Sequence, residues 1–132
     1  MNLTLKQTLY IGKFVIKFKI LYMTTLINLT PHPITSINNS GDKTTYQPSG
    51  IVARVSQNII SNGIQLDGID VSYSTFGDTQ DLPNPKPNTY YIVSSLVLNA
   101  NKHRCDLIAP RTDNTALRNE LGHIIAVRGW LL

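Results

Sequence analysis

The sequence has a single cysteine, few charged residues and no long uninterrupted apolar run. Cys105 cannot form a disulfide within the chain, and no Cys/His spacing is typical of a structural zinc site. Charged residues make up 15% and apolar residues 42% of the 132 residues, an ordinary globular composition. These features favour one small domain in a reducing cytosol, with no metal or cofactor predicted.

Acidic residues are missing from the chain before Asp42, and this absence explains the formal net charge of +4. Four lysines precede Met23, whereas the remaining chain carries eight basic and eight acidic residues. A neutral body lacks the clustered positive charge that binds a phosphate backbone. The sequence therefore predicts no nucleic-acid partner.

The segment at positions 11–22, IGKFVIKFKILY, alternates apolar and basic residues with the period of a β-strand. Its lysines interrupt the apolar run that a signal peptide or a membrane-spanning helix requires, so no membrane partner is predicted. Three interpretations stay open: an added edge strand, a membrane-surface segment, or translated upstream sequence before a start at Met23. We expect residues 1–22 to be an extension, disordered or of upstream origin, and residues 23–132 to form one globular domain.

Short apolar or alternating segments, separated by turn residues, follow one another through the predicted domain. The Asn62-Gly63 pair is a strong hairpin signal, and the proline-rich stretch at 77–88 predicts a surface loop. Residues 94–101 form the best helix candidate, with a serine placed to cap it. We predict a mainly β (α+β) fold, a small antiparallel sheet or partly open barrel with one short helix after the YYIV strand. The predicted strands lie near 24–29, 34–37, 44–47, 51–60, 64–66, 69–74, 90–93, 105–109, 116–119 and 123–131.

The junction between the YYIV strand and the helix is a candidate anion site. Free backbone N–H groups at a helix start, helped by the hydroxyls of Ser94 and Ser95, favour a phosphate or carboxylate. Arg104 follows within about ten residues and could add a positive charge. The alternative is that a serine simply caps its helix, since no P-loop or dinucleotide glycine pattern is present.

Other candidate residues are a histidine between two prolines and arginines on predicted strands. His32 could contact a ligand, or could only form hydrogen bonds within a rigid loop. Arg54, Arg118 and Arg128 could clamp a phosphate or a carboxylate from one sheet face, or could belong to an ordinary solvated face, with Asp106 as a partner for one of them. No glycines typical of a nucleophile elbow surround Ser94, so a catalytic triad is not predicted and an enzyme is not the favoured interpretation.

Five segments carry a resemblance to a known family. Read from position 23, the chain resembles a family of small proteins carried by phages, prophages and scattered bacterial genomes, for which no catalytic residues are established. Within it, the LTPH, PSG and YIVS segments correspond to His32, Ser49-Gly50 and Ser94. The matching segments are LINLTPHPI (26–34), QPSGIVARV (47–55), FGDTQDLPNPKPNTYYIVSSLV (76–97), RCDLIAP (104–110) and RNELGHIIAVRGWL (118–131).

The resemblance implies a setting rather than a chemistry. It suggests a phage or prophage binding protein in the host cytosol that counters host defence by sequestering a nucleotide-derived signal without catalysis. The alternatives are a protein-interaction module that blocks a host defence protein, a small phosphoester hydrolase, or a minor structural or assembly protein. A homo-oligomer fits the first interpretation, because small proteins often build composite sites at symmetric interfaces.

Overall fold

The computed structural model describes residues 4–11, 14–21 and 24–132, and it confirms a mainly β fold with one short helix. None of the sheets in these residues closes into a barrel. The elements are β1 (Thr4–Ile11), β2 (Phe14–Leu21), β3 (Thr25–Asn28), β4 (Ile34–Ile37), β5 (Lys43–Tyr46), β6 (Arg54–Leu66), β7 (Ile69–Gln80), β8 (Thr89–Ile92), α1 (Ser95–Ala100), β9 (Leu107–Pro110), β10 (Leu117–Arg118), β11 (Ile124–Ala126) and β12 (Trp130–Leu131).

The central sheet has the strand order β12-β9-β8-β3 and holds the core. The three strands β3, β8 and β9 are parallel, and β12 lies antiparallel beside β9. Because α1 connects β8 to β9, these elements form a compact βαβ unit. The predominantly antiparallel pairing expected from the sequence therefore holds for the hairpins, whereas the central sheet is mixed.

Continuous apolar runs explain why β8 and β9 lie at the centre. A strand covered on both faces needs apolar side chains at every position, and Tyr91, Ile92, Leu107 and Ile108 meet that need. Each such side chain contributes about 1.5–3 kcal/mol when it leaves water. The core cluster consists of Tyr91 of β8, Leu107 and Ala109 of β9, Val97 and Leu98 of α1, and Leu29, Ala53 and Val93 from the loops.

Four antiparallel pairs complete the described residues: β1 with β2, β4 with β5, β6 with β7, and β10 with β11. The hairpin turn predicted at Asn62-Gly63 is wrong, because β6 continues past it with a register shift and turns at Asp67-Gly68. Both turn residues have positive φ, which matches the twist of a two-residue hairpin. The loop predicted from Gly77 starts after Gln80, since β7 extends to that residue.

The N-terminal segment forms strands where it is described, as its alternation predicts for positions 14–21. Residues 1–3, 12–13 and 22–23 lie outside the described residues, so the proposed boundary between 22 and 23 stays a prediction. Within the part of the chain that the structure describes, no helix is long and apolar enough to cross a membrane.

Candidate functional site

The side chain of Asn28 organises the loop that follows β3. It is 2% exposed, and its amide donates to the carbonyl oxygens of His32 at 2.8 Å and Tyr46 at 2.9 Å. Its oxygen accepts from the backbone N–H of Thr30 at 2.9 Å and from the Thr30 hydroxyl at 2.7 Å. Because both ends of the amide are satisfied, Asn28 fixes the conformation of the TPH turn without an unpaired buried polar group.

Backbone hydrogen bonds bring two distant segments to the same place. The N–H of Ser49 donates to Asn28 O at 2.9 Å, and the N–H of Ala53 donates to Leu29 O at 3.0 Å. On the other side, the N–H of Leu29 donates to Ile92 O at 2.8 Å. The loop after β3 thus lies between the chain that leads into β6 and the chain that leads into α1.

The helix after the YYIV strand is confirmed, and Ser94 is its N-cap. Ser94 has extended backbone angles, and its hydroxyl oxygen accepts a hydrogen bond from the N–H of Val97 at 3.2 Å. This bond uses one of the free N–H groups on which the predicted anion site depended. The helix has only six residues, and the buried side chains of Val97 and Leu98 attach it to the core.

A cleft of about 280 Å3 opens where these three segments meet. Arg54 and Ser94, which are both exposed, are among its lining residues, and within residues 24–132 no hydrogen bond or ion pair occupies the Arg54 side chain. The Ser94 hydroxyl oxygen accepts a hydrogen bond from the Val97 N–H, so the hydroxyl can still donate one hydrogen bond of its own. The remaining walls are apolar apart from one threonine, and the full lining is Leu29, Thr30, Pro31, Val52, Ala53, Arg54, Val55, Ser94, Leu96 and Val97.

The residues that line the cleft favour a ligand that has an anionic group and a small apolar part. Arg54 is the only charged residue among the lining residues, so the charge of the cleft is positive and uncompensated there. A guanidinium group can donate two parallel hydrogen bonds to a phosphate or a carboxylate. Because typical small-molecule sites have volumes of about 300–1,000 Å3, this cleft of about 280 Å3 has room only for the anionic end of a small ligand and a short adjoining segment.

Arg104 lies elsewhere and has a structural partner. Its Nε and Nη2 atoms each donate at 2.7 Å to a carboxylate oxygen of Asp106, and Nη2 also donates to Pro83 O at 2.9 Å. The hydrogen bonds from Arg104 lower the pKa of Asp106, and the carboxylate raises the pKa of Arg104. The expectation that Asp106 pairs with Arg54, Arg118 or Arg128 is therefore wrong, and the Arg104 charge is already neutralised.

Arg104 and Asp106 line a larger cavity of about 400 Å3 beside His103. We do not favour this cavity for an anion, because the Asp106 carboxylate on its wall would repel one. Charge, and not volume, is therefore the reason to favour the Arg54 cleft over this cavity.

Three further predicted residues do not line the cleft with Arg54 and Ser94. Ser95 is exposed on the first turn of α1, and Arg128 is exposed between β11 and β12. His32 is exposed as well, and its backbone carbonyl, which accepts from Asn28 and Thr30, is the atom that shapes the loop. The structure thus brings together two of the six predicted residues.

Sequence reasoning missed Asn28 and Thr30. The signal for Asn28 was a polar residue inside the apolar segment TLINL, which is uncommon unless its side chain is satisfied by hydrogen bonds. No family model, curated protein or solved structure matches the chain. Function is therefore inferred from the geometry of the described residues.

Proposed function

We propose that this chain is a non-catalytic binding protein that captures a small phosphate- or carboxylate-bearing ligand in the cleft of Arg54 and Ser94. One observation carries the proposal. Three segments that are far apart in the sequence, within 29–31, 52–55 and 94–97, line one cleft, and its arginine has no partner among residues 24–132. The Arg54 side chain is exposed to solvent, and Ser94, whose hydroxyl can act as a second donor, lines the same cleft.

The class of ligand follows from the donors and walls of the cleft. Arg54 supplies charge and two parallel donors, Ser94 supplies one further donor, and Leu96 with Val52 supplies apolar surface. Nucleotide-derived molecules combine a phosphate with a flat, weakly polar base, and an arginine can also stack on such a base. They are the first class to test, which agrees with the phage counter-defence setting that the resemblance implies.

The hydrolase alternative receives no support from this cleft. Its lining residues include no histidine, aspartate, glutamate or cysteine that could act as a general base or nucleophile. His103 lines the separate cavity of about 400 Å3, beside Arg104, whose charge is neutralised by Asp106. We therefore propose binding and not turnover at this site.

Calorimetric titration with cyclic nucleotides, ADP-ribose derivatives and simple phosphates tests the proposal. We expect Arg54→Gln to weaken binding by about tenfold to a hundredfold, the value of a charged hydrogen bond. Arg128→Gln is the matched control, because it removes an exposed arginine outside the cleft and should leave affinity unchanged. Ser94→Asp keeps a good helix cap and adds a negative charge to the cleft, so it should abolish anion binding without unfolding α1.

Two results would reject this function. One is the absence of binding across the ligand panel by the folded, unmodified chain. The other is equal loss of affinity in Arg54→Gln and Arg128→Gln, which would indicate unspecific attraction by net charge.

A further inference from the structure

The hairpin of β6 and β7 extends beyond the core. Its strands pair over ten positions from Arg54–Gln80 to Leu66–Ile69, and they form a sheet of only two strands. Near its base, Val55 packs against the core and the Asn101 amide donates to the Thr79 hydroxyl at 2.8 Å. From Ser56 to Ser74 nearly every residue is exposed, so most of the hairpin receives no cover from residues 24–132.

The two faces of the hairpin differ in polarity. Residues that pair across the strands share a face, and alternate rungs lie on the same side. Three apolar rungs therefore lie on one side: Leu66 with Ile69, Ile64 with Val71, and Ile60 with Tyr73. We call these six residues the apolar ladder. The opposite side presents Gln65 with Asp70 and Ser61 with Ser72, and nearer the base Ile59 with Ser74 and Gln57 with Phe76.

An exposed ladder of this kind is unfavourable for an isolated chain. A two-stranded hairpin is marginally stable in water by itself and needs another strand or a packing surface. Five ladder residues are 39% to 71% exposed, namely Ile60, Ile64, Leu66, Ile69 and Tyr73. Their pattern, apolar on one face and mainly polar on the other, is that of a sheet with one covered face.

We propose that the apolar ladder is covered by the same ladder of a second copy of this chain, packed face to face about a two-fold axis. Such a contact is isologous, so each copy must present a surface that complements itself. The ladder meets this condition because all six side chains are uncharged, and two copies bring no like charges together. The nearest charges, Asp67 and Asp70, lie at the turn and on the opposite face.

The area of the ladder agrees with a stable dimer. Its exposed members present roughly 550 Å2 per copy, if about 200 Å2 is taken for a fully exposed large residue. A standard interface buries about 800 Å2 per partner, and in homodimers about 65% of this area is apolar, or about 520 Å2. The ladder thus presents an exposed area on the scale of a standard-size interface, and residues at its margin supply the rest.

The test uses the full chain, its Ile64→Lys variant and its Gln65→Lys variant in sedimentation velocity at micromolar concentrations. Both substitutions add one lysine at neighbouring exposed positions, but only Ile64 belongs to the ladder. We expect the unmodified chain and Gln65→Lys to sediment with twice the mass of 14.7 kDa. Ile64→Lys would place an unpaired charge from each copy in the contact and should weaken dimerisation at least about a hundredfold.

Hydrogen exchange provides the second measurement. Amides of residues 57–76 should exchange more slowly as the concentration of the unmodified chain rises, and Ile64→Lys but not Gln65→Lys should remove that protection. A chain that stays monomeric at these concentrations would overturn the proposal. So would a dimer that Ile64→Lys leaves intact, since its contact would lie elsewhere. Neither result affects ligand binding at Arg54, which is measured separately.

Discussion

The central sheet and the β6–β7 hairpin are both built from strands, but the sheet buries its apolar side chains and the hairpin exposes them. In the central sheet, Tyr91, Ile92 and Leu107 are at most 1% exposed, whereas Ile69 in the hairpin is 71% exposed. Strand length does not explain the contrast, because the hairpin strands are the longest among the described residues. The sheet is stabilised by burial within this chain, and the hairpin can complete its burial only against another surface.

This contrast also separates two functions in space. The cleft lies at the core end of the hairpin, where β6 begins with Arg54, while the apolar ladder lies towards the turn at Asp67-Gly68. Ligand capture and self-association can therefore be disrupted independently. The predictions below test the contrast in order of decreasing effect.

The largest expected effect on stability comes from truncating an isoleucine to alanine in the central sheet, compared with the same truncation in the β6–β7 hairpin. Ile92→Ala should lower the free energy of unfolding by about 4 kcal/mol, because Ile92 is fully buried and its loss leaves a cavity. Ile69→Ala should change it by less than about 0.5 kcal/mol, as exposed substitutions do. Urea unfolding monitored by fluorescence of Trp130, which packs edge-on against Tyr46 at 5.9 Å, measures both values.

Both substitutions are best made in the Ile64→Lys background, so that self-association does not add to the measured stability. Equal losses at positions 92 and 69 would contradict the contrast. That result would mean that the hairpin is packed against its own chain in solution.

A smaller effect is expected from Asn28→Ala. This change deletes four hydrogen bonds and removes the Asn28 amide as a donor to the carbonyls of His32 and Tyr46, at a cost of roughly 3 kcal/mol. The His32 carbonyl keeps the Thr30 hydroxyl as a donor. Asn38→Ala is the matched control, since Asn38 also bonds its own turn but is exposed to water. Its cost should stay below about 1 kcal/mol in the same urea titration. Similar costs for the two variants would show that burial does not decide the value of these bonds.

The sequence predicted the core better than the arrangement around it. The wholly apolar YYIV segment indicated a central strand, and β8 does lie between β3 and β9. The capping serine located α1 within a residue, because a cap is a local interaction between Ser94 and Val97. Strand partners are non-local, so no local pattern could distinguish a parallel βαβ unit from a hairpin here.

The hairpin turn shows a second limit of local signals. Asn62-Gly63 and Asp67-Gly68 both carry turn chemistry and lie five residues apart. Only the second places all three apolar rungs on one face, so the choice depends on pairing across the hairpin. The prediction of the site residues was limited in the same way, because it used closeness in sequence. Arg54 and Ser94 are far apart in sequence and line one cleft, whereas Arg104 lies close to Ser94 in sequence and binds Asp106 instead.

The smallest expected effect concerns the link between the core and the loop that follows the hairpin. Arg104 joins Asp106, just before β9, to the Pro83 carbonyl in that loop. Both side chains are about 15% exposed, so the ion pair is partly shielded from water. We expect a coupling of about 1 kcal/mol between Arg104→Gln and Asp106→Asn in a double-mutant cycle at neutral pH.

The coupling should disappear in acid, and its direction follows from the pKa of Asp106. The bonds from Arg104 hold this pKa below its usual 3.8, so the folded state favours the carboxylate. The resulting stability is fully present above the unfolded value and is lost as pH falls through the lower folded value. The unmodified chain should therefore lose more stability on acidification below 3.8 than Asp106→Asn does. If the two chains lost stability in parallel, the ion pair would contribute nothing, and the loop would be attached to the core by the apolar contacts of Leu82 and by the hydrogen bond from the Tyr91 hydroxyl to Asn84 O.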